Sequence, residues 1–183
     1  MINKKFLIII LSSLFLLWNC DECSTCTNPP DEEDKILVNT SFEKNGNPSA
    51  DGWNISPPPL GNFASDAPSG GGTYSVALEA NNPFGGEAAI TVKSLTDFDI
   101  YKLSFYAKFE KIYSTASLFL IRNGRVSKEN TVFVTDTIWT LYSITDTFQT
   151  SAGDSIRILF RGGTTAVIAG KTLFDLCKLE AVE

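Results

Sequence analysis

From residue 35 onward the chain is built of short runs in which apolar and polar residues alternate, each closed by a turn signal. Successive side chains of a strand point to opposite faces, so a period of two fits a half-buried sheet and not a helix, whose period is 3.6. In "YKLSFYAKFE", Leu103, Phe105 and Ala107 fall on one face, and Lys102, Ser104, Tyr106 and Lys108 on the other. "YSVALEA" aligns Tyr74, Val76 and Leu78, and "AAITVKSL" aligns Ala88, Ile90 and Val92. "DSIRILFRGG" turns Ile156, Ile158 and Phe160 inward and Arg157, Leu159 and Arg161 outward. "ASLFLIRNGRVSKENTVFV" is broken by Asn123-Gly124, a pair that tolerates the positive φ of a type I′ hairpin turn. No run of ten or more residues carries a helical period with caps. This many short strands predict an all-β, antiparallel β-sandwich of jelly-roll or immunoglobulin type over residues 35–183. "SPPPLGNFASDAPSGGG", residues 56–72, reads as a long loop.

Composition works by exclusion. A formal charge of −6 argues against nucleic acid, which requires a basic face. The chain has no His, which removes Ser-His-Asp and Cys-His catalysis and the common His-ligated zinc sites. A glycosidase needs two carboxylates at a set separation, which the sequence leaves open; with no His and no activated nucleophile evident, a non-catalytic protein is expected.

The first residues, "MINKKFLIIILSSLFLLWNC", have a basic start followed by an apolar run from Phe6 to Trp18. The run suits a signal-peptide core and is short for a membrane span. It stops at Cys20, and this arrangement looks like a bacterial lipoprotein signal over residues 1–19 with Cys20 as the lipidated residue. Cleavage there removes Lys4 and Lys5 and takes the formal charge from −6 to −8. Residues 20–34 are acidic and contain prolines, which reads as a flexible tether. Within it Cys23 and Cys26 form a small local disulfide or stay as two free thiols. Cys177, in an alternating run, reads as a buried small hydrophobe. The expected location is the bacterial outer membrane, lipid-anchored, at the cell surface.

"LVNTSFEKNGNPSADGW", residues 37–53, resembles the N-terminal signature of carbohydrate-binding modules of the family 4/9/22 group, in which Asn-x-Ser-Phe-Glu leads to Gly-Trp. "YSVALEA", "YKLSFYAK", "IWTLYSITDTF", "GDSIRILF" and "LFDLCKLE" are similar to further elements of that group, in the same order. The resemblance implies a galactose-binding-like jelly roll that binds poly- or oligosaccharide. It also implies a structural Ca²⁺ held by Glu43 and Asp175, and it places Trp53 and Trp139 in the core. Alternation puts Asp175 on the same face as Leu173, Cys177 and Leu179. A carboxylate on an apolar face needs a partner: a cation, Lys44, or loop amides.

Sugar recognition combines aromatic platforms with planar polar groups. Tyr106, Phe119, Arg161 and Phe84 are the candidate ligand residues, three outward on strands and Phe84 in a loop. Each also has a structural reading: Phe119 packs under a loop, Tyr106 is a half-exposed strand residue, Phe84 staples its loop. Two functions stay open: a glycan-binding envelope lipoprotein, or a structural or adhesive lipoprotein with the same fold.

Overall fold

A computed structural model of the chain describes residues 35–81, 84–111, 114–163 and 170–183. Cys20, Cys23 and Cys26, with the signal and tether, lie outside the described residues.

The described elements are strands: β1 (Ile36–Thr40), β2 (Glu43–Lys44), β3 (Asn47–Pro48), β4 (Asn54–Ile55), β5 (Gly61–Ala64), β6 (Ser75–Asn81), β7 (Phe84–Gly85), β8 (Glu87–Lys93), β9 (Ile100–Phe109), β10 (Ser114–Arg122), β11 (Arg125–Val134), β12 (Thr140–Thr147), β13 (Ser155–Arg161) and β14 (Gly170–Val182). A seven-stranded sheet runs β12-β9-β14-β6-β5, with β1 added beside β14 and β7 beside β6. A five-stranded sheet runs β11-β10-β13-β8-β4. From β8 to β14 the chain changes sheet at every connection but the β10–β11 hairpin, the interleaving of an antiparallel jelly roll. β1 pairs with β14, so the first and last strands close the domain together.

The alternating residues meet between the sheets. Leu103, Phe105 and Ala107 of the larger sheet face Ile156, Ile158 and Phe160 of the smaller one, all fully buried. Phe160 stacks on Phe174 at a centroid distance of 4.5 Å and on Trp53 at 5.3 Å, and meets Phe105 at 5.0 Å. The Asn123-Gly124 turn has φ of +52° and +71°, the two positive values a type I′ hairpin requires. Cys177 is a buried free thiol, as its alternating context predicts.

Several expectations change. Residues 56–72 are not one loop: β5 lies within them, at the edge of the larger sheet against β6. Four residues between prolines and glycines carry too little pattern to announce a strand, and only the partner β6 makes one. Trp139 is half-buried at the surface and outside the core cluster; its Nε1 donates to Asp66 Oδ1 at 3.0 Å. Asp175 does not share a face with Cys177 and Leu179. A β-bulge follows it, with Leu176 at φ +46°, so Asp175 pairs with Tyr106 on the outer face while Cys177 turns into the core.

At one end, Arg122 clamps the connection between β12 and β13. Its Nη2 donates to Asp154 Oδ2 at 2.7 Å and its Nε to the same oxygen at 3.1 Å; the Ser151 amide adds a third bond at 2.9 Å. The Arg122 guanidinium holds the Asp154 carboxyl below its usual range. A depressed carboxylate contributes stability above its unfolded pKa and loses it as pH falls through the folded one. Unfolding titrations of Asp154→Asn are therefore expected to show a flatter acid limb than the parent; an unchanged acid limb would refute the assignment.

Candidate functional site

Two regions gather the chemistry. The first lies where β14 changes neighbour. Along Gly170–Phe174 its flank pairs with β6, and from Cys177 onward the same flank pairs with β1. Asp175 and Leu176 sit in the split between them. Thr40 ends β1 opposite Cys177, and Phe42, buried at φ +53°, turns the chain so that Glu43 enters the split. Glu43 then opens the tiny β2–β3 hairpin, turned by Asn45 and Gly46.

Asp175 is 0% exposed. Its Oδ1 accepts the Leu176 amide at 2.7 Å, while its buried Oδ2 has no hydrogen-bond partner. Burial and, secondarily, the Glu43 charge raise its carboxyl to about 7, against the pull of the Leu176 amide. Glu43 Oε2 accepts the Thr73 amide at 2.9 Å. Gly71 and Gly72 make the approach possible: a Cβ on Gly71 would lie 2.2 Å from Asp175 Oδ2, and one on Gly72 1.5 Å from Glu43 Oε2. Gly72 also has φ +84°, a conformation that glycine adopts without steric cost. Lys44 does not answer Asp175; its Nζ bonds Asp51 Oδ2 at 2.6 Å. Beside the split is a cleft of about 480 Å³, lined by Asn39, Ser41, Glu43, Ser49, Asp51 and Gly70, among others. Among the described residues no group of three or more His, Cys, Asp or Glu side chains could hold a metal. A cation here would depend on two carboxylates supplemented by hydroxyl and carbonyl oxygens, a hard-oxygen set that fits Ca²⁺ better than zinc.

The second region is the outer face of the five-stranded sheet. Thr115, Ser117 and Phe119 alternate with core residues of β10, as Arg157, Leu159 and Arg161 do in β13. Register aligns them in rows across four strands: Phe133, Thr115, Arg161, Glu87; then Thr131, Ser117, Leu159, Ala89; then Glu129, Phe119, Arg157, Thr91. Arg161 pairs with Glu87 at 2.7 Å. The Ser117 and Thr131 hydroxyls are 2.6 Å apart, and Thr131 donates to Glu129 Oε1 at 2.9 Å. Phe133 is 54% exposed, whereas Phe119 is only 9% exposed.

Phe119 and Arg161 thus share a face. Tyr106 lies on the outside of the other sheet, opposite Leu141, and cannot touch the same ligand. That face is overlaid by residues 65–74, tied down through Asp66, which takes Lys108 at 2.6 Å together with Trp139. Leu173 and Ala77 beneath are 1% and 3% exposed. Phe84, expected in a loop, stands instead in the two-residue strand β7, where it pairs with Asn81 of β6. Sequence reasoning passed over Phe133, although the alternation of "TVFV" holds Val132 and Val134 inward and turns it out.

Solved structures share this architecture. The chain matches the CBM22-1 xylan-binding domain of Paenibacillus barcinonensis Xyn10C at 17% identity and a TM-score of 0.55, covering 81% of this chain and 95% of that one. The chain has a carbohydrate-binding-module-like jelly-roll fold. A CBM4 structure matches at 16% identity and a TM-score of 0.50, over 73% of this chain and 97% of that one. The enzymatically active domain of tailspike protein 4 of bacteriophage CBA120 matches at 16% identity and a TM-score of 0.55; this chain, 78% covered, spans 21% of that one. No family model matches the sequence. No curated protein matches it.

Proposed function

We propose that this chain is a non-catalytic carbohydrate-binding lipoprotein of the bacterial cell envelope, anchored through Cys20, that holds poly- or oligosaccharide on the outer face of its five-stranded sheet. The observation that carries the reading is the register of that face. It aligns an exposed aromatic, Phe133, with a strip of planar and hydroxyl groups: Arg161, Glu87, Arg157, Glu129, Thr131 and Ser117. An aromatic ring suits the CH face of a pyranose, and fixed polar groups suit its hydroxyls. The fold adds support, since the matched xylan-binding domain and CBM4 structure are named for carbohydrate binding. Affinity gel electrophoresis against a panel of neutral and acidic polysaccharides tests it. Retention by at least one is expected, weakened roughly tenfold, about 1.4 kcal/mol, by Phe133→Ala. Migration unchanged by every polysaccharide would overturn the reading.

In the same reading Glu43 and Asp175 hold a structural Ca²⁺ that fastens the first strand to the last. Support comes from the partnerless Asp175 Oδ2 and from two carboxylates sharing one split. A second reading, a structural or adhesive envelope lipoprotein with no sugar affinity, draws on the near burial of Phe119 and Leu159 in the middle of the proposed face. The same gel separates the two.

A further inference from the structure

Most described cations have an acid: Lys35, Lys44, Lys102, Lys108, Arg122, Lys128, Arg161, Lys171 and Lys178 all form ion pairs. Of those that form none among the described residues, Lys93, Lys111 and Arg125 are exposed, where water solvates the charge. Arg157 is different. It is half-buried in β13, the middle strand of the five-stranded sheet, pointing outward between Phe119 on one neighbour and Thr91 on the other. No hydrogen bond or ion pair engages its guanidinium among the described residues. The acids on this face do not answer it. Glu87 is taken by Arg161, and Glu129 lies beyond β10, two strand spacings or about 10 Å away, where it accepts from Thr131. A guanidinium partly withdrawn from water with no anion beside it carries a desolvation cost. Its planar fork of N–H donors matches a carboxylate in bidentate fashion.

Resting on the reading of this face as the glycan site, we propose that its ligand is an acidic polysaccharide, with Arg157 pairing the carboxylate of a uronic acid residue. The register places the exposed Thr91 directly beside Arg157, so a ring hydroxyl of the sugar and its carboxylate meet neighbouring groups. Lys93 stands one row further along the same face, opposite Ser155, exposed and unpaired among the described residues. It is a second cation for a chain that carries acids in succession. The overall charge of −6 makes this local reversal of sign selective, since elsewhere the protein repels polyanions.

The test is calorimetry of the full chain with oligosaccharides of polygalacturonate, alginate and hyaluronan, each beside its carboxyl-reduced form, and with neutral xylo-oligosaccharide. At least one acidic oligosaccharide is expected to bind ten times or more tighter than its reduced form. Arg157→Gln should remove that preference, so that the acidic oligosaccharide and its reduced form bind equally. Arg157→Lys should retain part of it, because a point charge replaces a two-pronged contact. Thermal unfolding of both variants at the parental Tm excludes a folding defect. Equal affinity for every acidic and reduced pair, binding confined to the neutral sugar, or an acid preference that survives Arg157→Gln would each overturn the proposal. The first two leave the glycan-binding reading standing. No binding by any oligosaccharide brings down both.

Discussion

Phe160→Ala is expected to cost about 3–5 kcal/mol of folding stability. Phe160 lies between Ala116 and Ala88 in its own sheet, two small residues that leave room for its ring. From there it reaches across to Phe105 and Phe174 of the other sheet and to Trp53 before β4. Both sheets and the chain entering β4 therefore converge on one ring that is 0% exposed. Alanine leaves a void bordered by β-ladders on both sides, which backbone pairing keeps from collapsing. Typical domains hold only 5–15 kcal/mol in total, so the variant should unfold at a much lower denaturant midpoint with an unchanged m-value. Phe160→Leu, which keeps much of the volume, should lose markedly less. A loss below about 1 kcal/mol for the alanine variant would contradict the packing described here.

The second large effect concerns Asp175 and reverses sign with calcium. Excess Ca²⁺ at a hundred times its Kd stabilises a single-site protein by about 2.7 kcal/mol. In a domain of this size that is a Tm rise of several degrees, and chelator should abolish it. Glu43→Gln and Asp175→Asn should each remove the response. Without calcium, Asp175→Asn should be more stable than the parent at pH 7.5. The sign follows from the raised carboxyl. An acid whose pKa climbs from the usual carboxylate range to about 7 on folding costs stability as pH rises between the two values, and the full cost persists above the higher one. Asparagine carries no such charge, so its advantage should shrink towards pH 4. A Tm indifferent to calcium and chelator, together with a destabilised Asp175→Asn, would sink the calcium proposal.

Much of the sandwich was legible because alternation is a local property. Whichever strands pair, Leu103, Phe105 and Ala107 must share a face, as must Ile156, Ile158 and Phe160, and each set is buried. The Asn123-Gly124 turn was equally local, since two residues that tolerate positive φ announce it. β5 escaped notice because an edge strand of four residues exists only through its neighbour. Trp139 was misplaced for a related reason: its partner Asp66 is 73 residues away and arrives on a folded-back segment.

The site residues divide along the same line. The family resemblance marked Glu43 and Asp175 as a cation-binding pair, and alternation marked Phe119 and Arg161 as outward groups on the strands that carry them. Strand order, set by which hydrogen-bonding edges and apolar faces find one another, lies outside any local pattern. That order puts Tyr106 and Phe119 on opposite outer faces and leaves Arg157 half-buried without an acid. The bulge at Leu176 turns Asp175 away from Cys177, against the alternation that had joined them. One extra residue in a strand shifts every side chain beyond it to the other face, and pairing with β9 and β1, not composition, sets where that residue falls.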